Sequence, residues 1–403
     1  MNRREFLKVS GLALGSLPLC RSGWAAPGSG RRLVVVFLRG AVDGLSVVVP
    51  HGESAYYESR PTIAIPRPGI EGGALDLDGH FGLHPALAAL MPLWQQGALA
   101  FVHASGSPDP SRSHFDAQDY MESGTPGAKN TSDGWMNRLL SVLPGERSPT
   151  EAVSFGPTLP RIMTGKMNVA NLPMGKNAAH PMPMDRPIIA EAFDRIYAGD
   201  DDLGRAYREG KAARGQLLAE LQKDGKEADN GAPMPTGFPS DAQWLAKLIA
   251  RDKSISLAFL ALGGWDTHVN QGGQLANHLR PLGEGLAVFA RELGPELADT
   301  TVLVMSEFGR TVRENGNGGT DHGHGNVMWL LGGAVGGGKV YGSWPGLGGQ
   351  DLYQGRDLAV TTDFRHVAAQ VLQRHLRLSD AHLERIFPGM PAGNAGLSGL
   401  IKA

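Results

Sequence analysis

Apolar positions along the chain fall into a few continuous runs separated by amphipathic stretches. Residues 32–38 read Arg-Leu-Val-Val-Val-Phe-Leu and end in Arg39-Gly40. An unbroken β-branched run of this length predicts a central strand buried on both faces. Runs of the same kind at 99–103, 255–262, 301–305 and 327–331 predict further buried strands. Between them, Leu87, Leu90, Leu93 and Trp94 recur at helical spacing within 84–95. Helices are likewise predicted over 113–122, 274–293 and 364–376. Strands alternating with helices imply an α/β protein whose mostly parallel sheet carries helices on both faces.

The stretch 150–240 breaks this rhythm. It is rich in Met and Pro up to Pro187, helical and charged over 188–229, and loop-like through Asn230-Gly231-Ala232-Pro233. It is expected to be a cap or insertion between two parts of a core, 27–149 and 241–403. The charge-rich helical part otherwise reads as a solvated face.

The first 26 residues read as an address. Arg3 and Arg4 precede a short apolar stretch, 9–19, and small residues at Ala25 and Ala26. This is the pattern of a cleaved signal peptide, and the paired arginines point to the twin-arginine (Tat) export machinery and a periplasmic or secreted location. The apolar stretch is too short to span a bilayer, so no stable membrane anchor is expected. Leu19 is too bulky for Cys20 to be a lipidation site. The chain has 403 residues, a net charge of −2 and a single cysteine. Removing residues 1–26, with four basic side chains and one acidic, takes that cysteine away and leaves −5. Such a balance argues against nucleic acid as a partner, and no thiolate remains as ligand or nucleophile.

In an open parallel sheet, ligands gather beyond the carboxyl ends of the strands. Asp43 follows the first run, and Ser111, Arg112, Ser113 and His114 follow the second. Asp266 and His268 come after the third, Glu307 and Arg310 after the fourth, and His322 and His324 precede the fifth. Each group alone fits a turn or a helix cap, but a parallel sheet carries its strand ends to one rim. Asp43, Asp266, His268, Glu307, His322 and His324 could supply six oxygen and nitrogen ligands to one or two divalent ions, Zn or Mn suiting them best. Ser113, at a helix start, is a candidate nucleophile, and Arg310 and Arg112 could clamp an oxyanion. Gly333 to Lys339 matches the spacing of a phosphate-binding loop. Val340 stands where a hydroxyl would be needed, so it reads as a glycine-rich turn.

Six segments in order, Leu-Arg-Gly-Ala-Val-Asp43-Gly, Gly-Leu-His84-Pro, Ser-Arg-Ser113-His-Phe-Asp, Gly-Gly-Trp-Asp266-Thr-His, Ser-Glu307-Phe-Gly-Arg and Asp321-His-Gly-His-Gly, closely resemble a bacterial, mostly Tat-exported family, domain of unknown function 1501. That family looks like a distant branch of the alkaline phosphatase and sulfatase superfamily. The resemblance implies a three-layer alkaline-phosphatase-like fold and a metal-dependent hydrolase of phosphate or sulfate esters, small or polymer-borne. It also implies that Asp43, Glu307, Asp266, His268 and His322 or His324 are ligands, with Ser113, or Ser111, as the attacking group. Three departures stand out. Phe308 follows Glu307 where a His ligand is expected, the Asp266–His268 spacing is short, and Pro108 replaces the residue that sulfatases convert to formylglycine. The alternative is a non-catalytic exported binding or assembly protein that keeps the fold.

Overall fold

Residues 32–38 form strand β1 (Arg32–Leu38), buried along its whole length, in a computed structural model that describes residues 30–145, 147–156, 158–172, 187–212, 237–393 and 396–402. The export signal expected over 1–26, with Arg3, Arg4 and Cys20, lies outside the described residues. The unit treated below comprises Gly30–Leu143 and Arg147–Ala403.

Twelve strands are described: β1, then β2 (Val48–Val49), β3 (Leu75–Asp76), β4 (Gly82–Leu83), β5 (Leu99–Gly106), β6 (Ala152–Phe155), β7 (Ala170–Leu172), β8 (Leu257–Leu262), β9 (Thr300–Ser306), β10 (Asn326–Gly332), β11 (Lys339–Tyr341) and β12 (Thr362–Asp363). The main sheet runs β11-β5-β10-β9-β1-β8-β6-β7, with β12 beside β5, while β2, β4 and β3 form a small separate sheet. Strands β9, β1, β8, β6 and β7 pair in parallel. Only β10 runs against its neighbours β9 and β5, so the sheet is mostly parallel. Within the stretch 150–240, β6 and β7 extend the edge of this sheet.

Alternate residues of β1 serve opposite faces, as the period of a strand requires. Val34, Val36 and Leu38 pack with Leu87, Trp94, Leu248 and Leu279 on one side. Leu33, Val35 and Phe37 meet Met121, Trp135, Leu139 and Val367 on the other. Helices α1 (His114–Ser123), α2 (Trp135–Val142) and α6 (Phe364–Gln370) therefore cover one face. Helices α4 (Phe238–Arg251) and α5 (Gln271–Leu293) cover the other. Helix α3 (Pro187–Ile196) belongs to the charged middle. The three-layer α/β arrangement expected from the alternation of elements is present. No helix among the described residues is long and apolar enough to cross a membrane.

The rim that matters is the carboxyl end of β1, β5, β8 and β9. Because β10 is antiparallel, its start lies at that same rim, which delivers residues 320–325 there too. Backbone closeness is set by small residues. Gly40 has φ +115°, and a Cβ on it would lie 2.8 Å from the amide nitrogen of Asp266; only glycine lets the β1 and β8 loops meet so closely.

Candidate metal centre

Four side chains from three segments converge at this rim: His114 on the first turn of α1, Asp266 and His268 after β8, and His322 before β10. The Nε2 atoms of His114 and His322 are 3.1 Å apart, as are those of His268 and His322. Asp266 Oδ1 lies 3.0 Å from His268 Nε2 and 3.2 Å from His322 Nε2. Among the described residues, His114, Asp266 and His322 form a group whose donor atoms could hold one metal ion, and His268 adjoins it.

The other nitrogen of each ring decides what these contacts mean. His114 Nδ1 donates to Glu307 Oε1 at 2.8 Å, His268 Nδ1 to Asp321 Oδ1 at 3.0 Å, and His322 Nδ1 to the carbonyl of Arg112 at 2.9 Å. With each neutral ring's proton held on Nδ1, every Nε2 presents a lone pair. Three lone pairs and a carboxylate facing one another repel unless a cation lies among them. This is the donor chemistry of a divalent metal site, with each imidazole oriented by an outer acceptor.

The electrostatics point the same way. Burial works against ionising Glu307, but hydrogen bonds from His114, Gln118 and the Gly40 amide hold its carboxyl below the usual range. Its bond to His114 in turn raises that imidazole's pKa, which makes Nε2 a better electron donor. Burial opposes the charge on Asp266 as well, yet the Arg310 guanidinium, donating to Oδ1 at 2.6 Å, keeps it ionised. Burial lowers the pKa of His322, favouring its neutral form. The centre is shallow: the side chains of Asp266 and His268 are 44 % and 41 % exposed.

The family model described as protein of unknown function (DUF1501) matches residues 79–387. The chain belongs to that family. No curated protein sequence matches it. Similar solved structures include the lipoteichoic acid synthase LtaP from Listeria monocytogenes, at 9 % identity and TM-score 0.34, over 81 % of this chain and 71 % of that one. The C-terminal periplasmic domain of EcEptC from Escherichia coli, in complex with Zn, is 9 % identical at TM-score 0.34, over 75 % and 72 % of the two chains. Alkaline phosphatase from the Antarctic bacterium TAB5 is 10 % identical at TM-score 0.33, over 76 % and 91 %.

In this DUF1501 chain the expected site residues divide. Asp266, His268 and His322 meet, whereas Asp43 does not join them. It is fully buried and accepts from Arg60 Nη1 and Nη2 at 2.5 and 3.0 Å and from Gln271 Nε2 at 2.7 Å, so its oxygens are committed to a guanidinium rather than to a metal. Glu307 contacts the centre only through His114. His324 is buried apart from it, with Nε2 donating to the Ser107 carbonyl at 3.1 Å. Arg310 is also buried, bonded to Asp266 and Thr320, and Arg112 binds Asp357 Oδ2 through Nε and Nη2 at 3.0 and 2.5 Å. Neither arginine is free to clamp a substrate. Ser113 is the exposed N-cap of α1, its Oγ accepting from the Asp116 amide at 3.4 Å, and Ser111 Oγ accepts from the Ser113 amide.

His114 stands among the groups that follow the second apolar run, but the sequence did not mark it as a ligand. Its signal was positional: the first residue of a helix after a strand end points at the rim. Asp321, Arg60 and Gln271 carried no such signal, since their partners lie 53, 17 and 228 positions away.

Proposed function

We propose that this protein is an exported, metal-dependent hydrolase of phosphate or sulfate esters with a single metal centre held by His114, Asp266, His268 and His322. The observation that carries the reading is the convergence of three Nε2 lone pairs on the Asp266 carboxylate, each ring fixed through Nδ1. A divalent ion such as Zn or Mn there would supply Lewis-acid stabilisation of charge on an ester oxygen and ease ionisation of a nearby hydroxyl. Ser113 is the residue for attack: it precedes His114 directly, is exposed, and sits at the N-terminus of α1, where the first-turn amides favour an anion. Its oxygen would bond to the phosphorus or sulfur as the P–O or S–O bond to the alcohol breaks, the serine proton ending on the departing alcohol, and water would later hydrolyse the resulting phosphoseryl or sulfoseryl ester. Glu307, Asp321 and the Arg112 carbonyl hold the three rings, and Arg310 holds Asp266. One ion rather than two is the proposal because Asp43, the expected ligand on the β1 side, already has Arg60 as its counter-charge. The paired arginines at residues 3 and 4 support export through the Tat machinery to the periplasm or beyond.

The test is elemental analysis of protein purified without chelators, beside turnover of p-nitrophenyl phosphate and p-nitrophenyl sulfate. One equivalent of metal, lost in His322→Ala together with turnover, and turnover lost in Ser113→Ala with metal retained, is the expected result. Full metal with no turnover of any ester would favour the non-catalytic binding protein instead, a reading to which the ion pairing of Arg310 with Asp266 and of Arg112 with Asp357 lends support.

A further inference from the structure

Beside the metal centre an open cleft begins at His114 and Gln118 and continues along the exposed side of α1. Its walls are three cation–carboxylate pairs. Lys129 Nζ is 2.8 Å from Asp116, Arg161 Nε is 3.3 Å from Asp119, and Arg39 Nη2 is 2.7 Å from Glu122. The three acids stand three residues apart on one helix face, and the three bases come from three other segments. Rising among them is Phe115, 91 % exposed, one residue after a proposed ligand. A large aromatic left in water next to a reactive centre, and lining a cleft, asks for an apolar surface to cover it.

The walls decide what kind of surface. Three positive and three negative groups give no net field to gather a polyanion. An acyl chain laid over them would strip water from the partly exposed Asp116–Lys129 and Asp119–Arg161 pairs and return no hydrogen bonds. A hydroxyl, in contrast, donates and accepts at once, so it can lie across a carboxylate and a cation of the same pair. A purine or pyrimidine would use the ring but would leave most of these groups unmet, and the only other ring in the described lining, His114, is taken up by the metal centre.

We propose that the cleft binds a sugar ring carrying the ester, with the ring's C–H face on Phe115 and its hydroxyls on the Asp116–Lys129 and Asp119–Arg161 pairs. This rests on the ester reading above and names its substrate class. The ester group would lie toward His114 and the free hydroxyls away from it. An isolated sugar ester and a sugar unit within a polymer would present the same chemistry, since the cleft is open.

Two measurements on the mature, metal-loaded protein separate this proposal from the reading beneath it. In calorimetric titrations, glucose 6-phosphate and glucose 6-sulfate should bind at least 10-fold more tightly than glycerol 3-phosphate, octyl sulfate or adenosine 5′-monophosphate. Phe115→Ala should shrink that preference below 3-fold, and Asp119→Asn should reduce it independently. Saturation-transfer NMR with methyl α-glucoside, which has no ester, should show contact with the sugar ring that Phe115→Ala removes. If p-nitrophenyl esters turn over but sugar and glycerol esters bind alike, the cleft proposal is wrong while the hydrolase stands. If octyl sulfate or the nucleotide binds best, it is equally overturned. Contact with methyl α-glucoside in a protein that hydrolyses no ester would support the cleft and remove the hydrolase.

Discussion

Each imidazole of the metal centre has a differently protected acceptor at its back, and this sets what single substitutions should do. Glu307 is fully buried, whereas the Asp321 side chain is 53 % exposed. A hydrogen bond out of water is electrostatically stronger, so Glu307→Gln should weaken Zn affinity by about 10- to 100-fold, the range usual for outer partners of ligating histidines. Asp321→Ala should cost less, because water can replace its carboxylate; competition with a chromophoric chelator measures both. The opposite expectation holds for Asp43. Asp43→Asn should retain the metal but destabilise the protein by about 3–5 kcal/mol, because it leaves Arg60 buried without its partner charge. Urea unfolding beside metal analysis distinguishes the two, and loss of metal at unchanged stability would return Asp43 to the ligand set. At this scale the sequence was only half legible. A carboxylate after a strand looks the same whether it waits for a cation or already has one, and Arg60 lies in a segment with no pattern to announce it.

At the scale of elements, α5 and the loop before β10 tie the two buried arginine sites together. Gln271, at the first turn of α5, donates to Asp43 and accepts from Thr267 Oγ1 and Thr320 Oγ1 at 3.0 and 2.6 Å. Thr320 Oγ1 accepts from Arg310 Nε at 3.1 Å, and Arg310 holds the Asp266 carboxylate. The chain Arg60–Asp43–Gln271–Thr320–Arg310–Asp266 therefore links the β1 ion pair to a proposed ligand. Gln271→Leu should cost about 1–3 kcal/mol through unsatisfied buried groups, and should also lower Zn affinity by several-fold, which a purely structural role would not do; Gln271→Glu, which loses the donor and sets a second carboxylate against Asp43, should not restore it. Most of these elements could be read from sequence because continuous apolar runs mark buried strands whatever their neighbours. Direction could not: β10 has the same pattern as β9 yet runs the other way. β6 and β7 were hidden by their brevity within a Met- and Pro-rich stretch. The helical spacing of 84–95 resolves into a 3-10 turn, Pro85–Leu90, followed by the short helix Met91–Gln95, because periodicity cannot separate two short turns from one helix.

Across the whole molecule, two buried imidazoles remote from the metal tie acid lability to the fold itself. His103 in β5 donates through Nε2 to the Val48 carbonyl at 2.9 Å, while its Nδ1 accepts from the Ala104 amide at 3.0 Å. It packs against Phe81 and Trp344 at centroid distances of 5.4 and 4.6 Å, and so pins the small β2–β4 sheet to the main one. His84 Nδ1 accepts from the Ala86 amide at 3.0 Å at the head of the Pro85–Leu90 turn. Burial pulls both rings down to about 4, whereas in the unfolded chain they would titrate near 6.5. Unfolded protein therefore takes up protons first as pH falls, and stability drains away between about 6.5 and 4, by about 3 kcal/mol for each ring. Asp43 acts lower on the scale: although burial opposes its charge, Arg60 depresses its carboxyl, and that stabilisation goes only as pH falls below the ordinary carboxylate range. Metal loss would also weaken the protein in acid, by about 4 kcal/mol where free metal exceeds the dissociation constant 1,000-fold, so the measurement must be made in EDTA. Under that condition wild-type stability from urea titrations should fall steadily from pH 7 to 4.5. His103→Gln, which keeps one donor and one acceptor without a titratable ring, should flatten part of that slope, the rest belonging to His84 and to His324 and His375, which burial lowers as well. Parallel curves for the two proteins would mean that neither the burial of His103 nor its tie to the small sheet sets the acid limit of the fold.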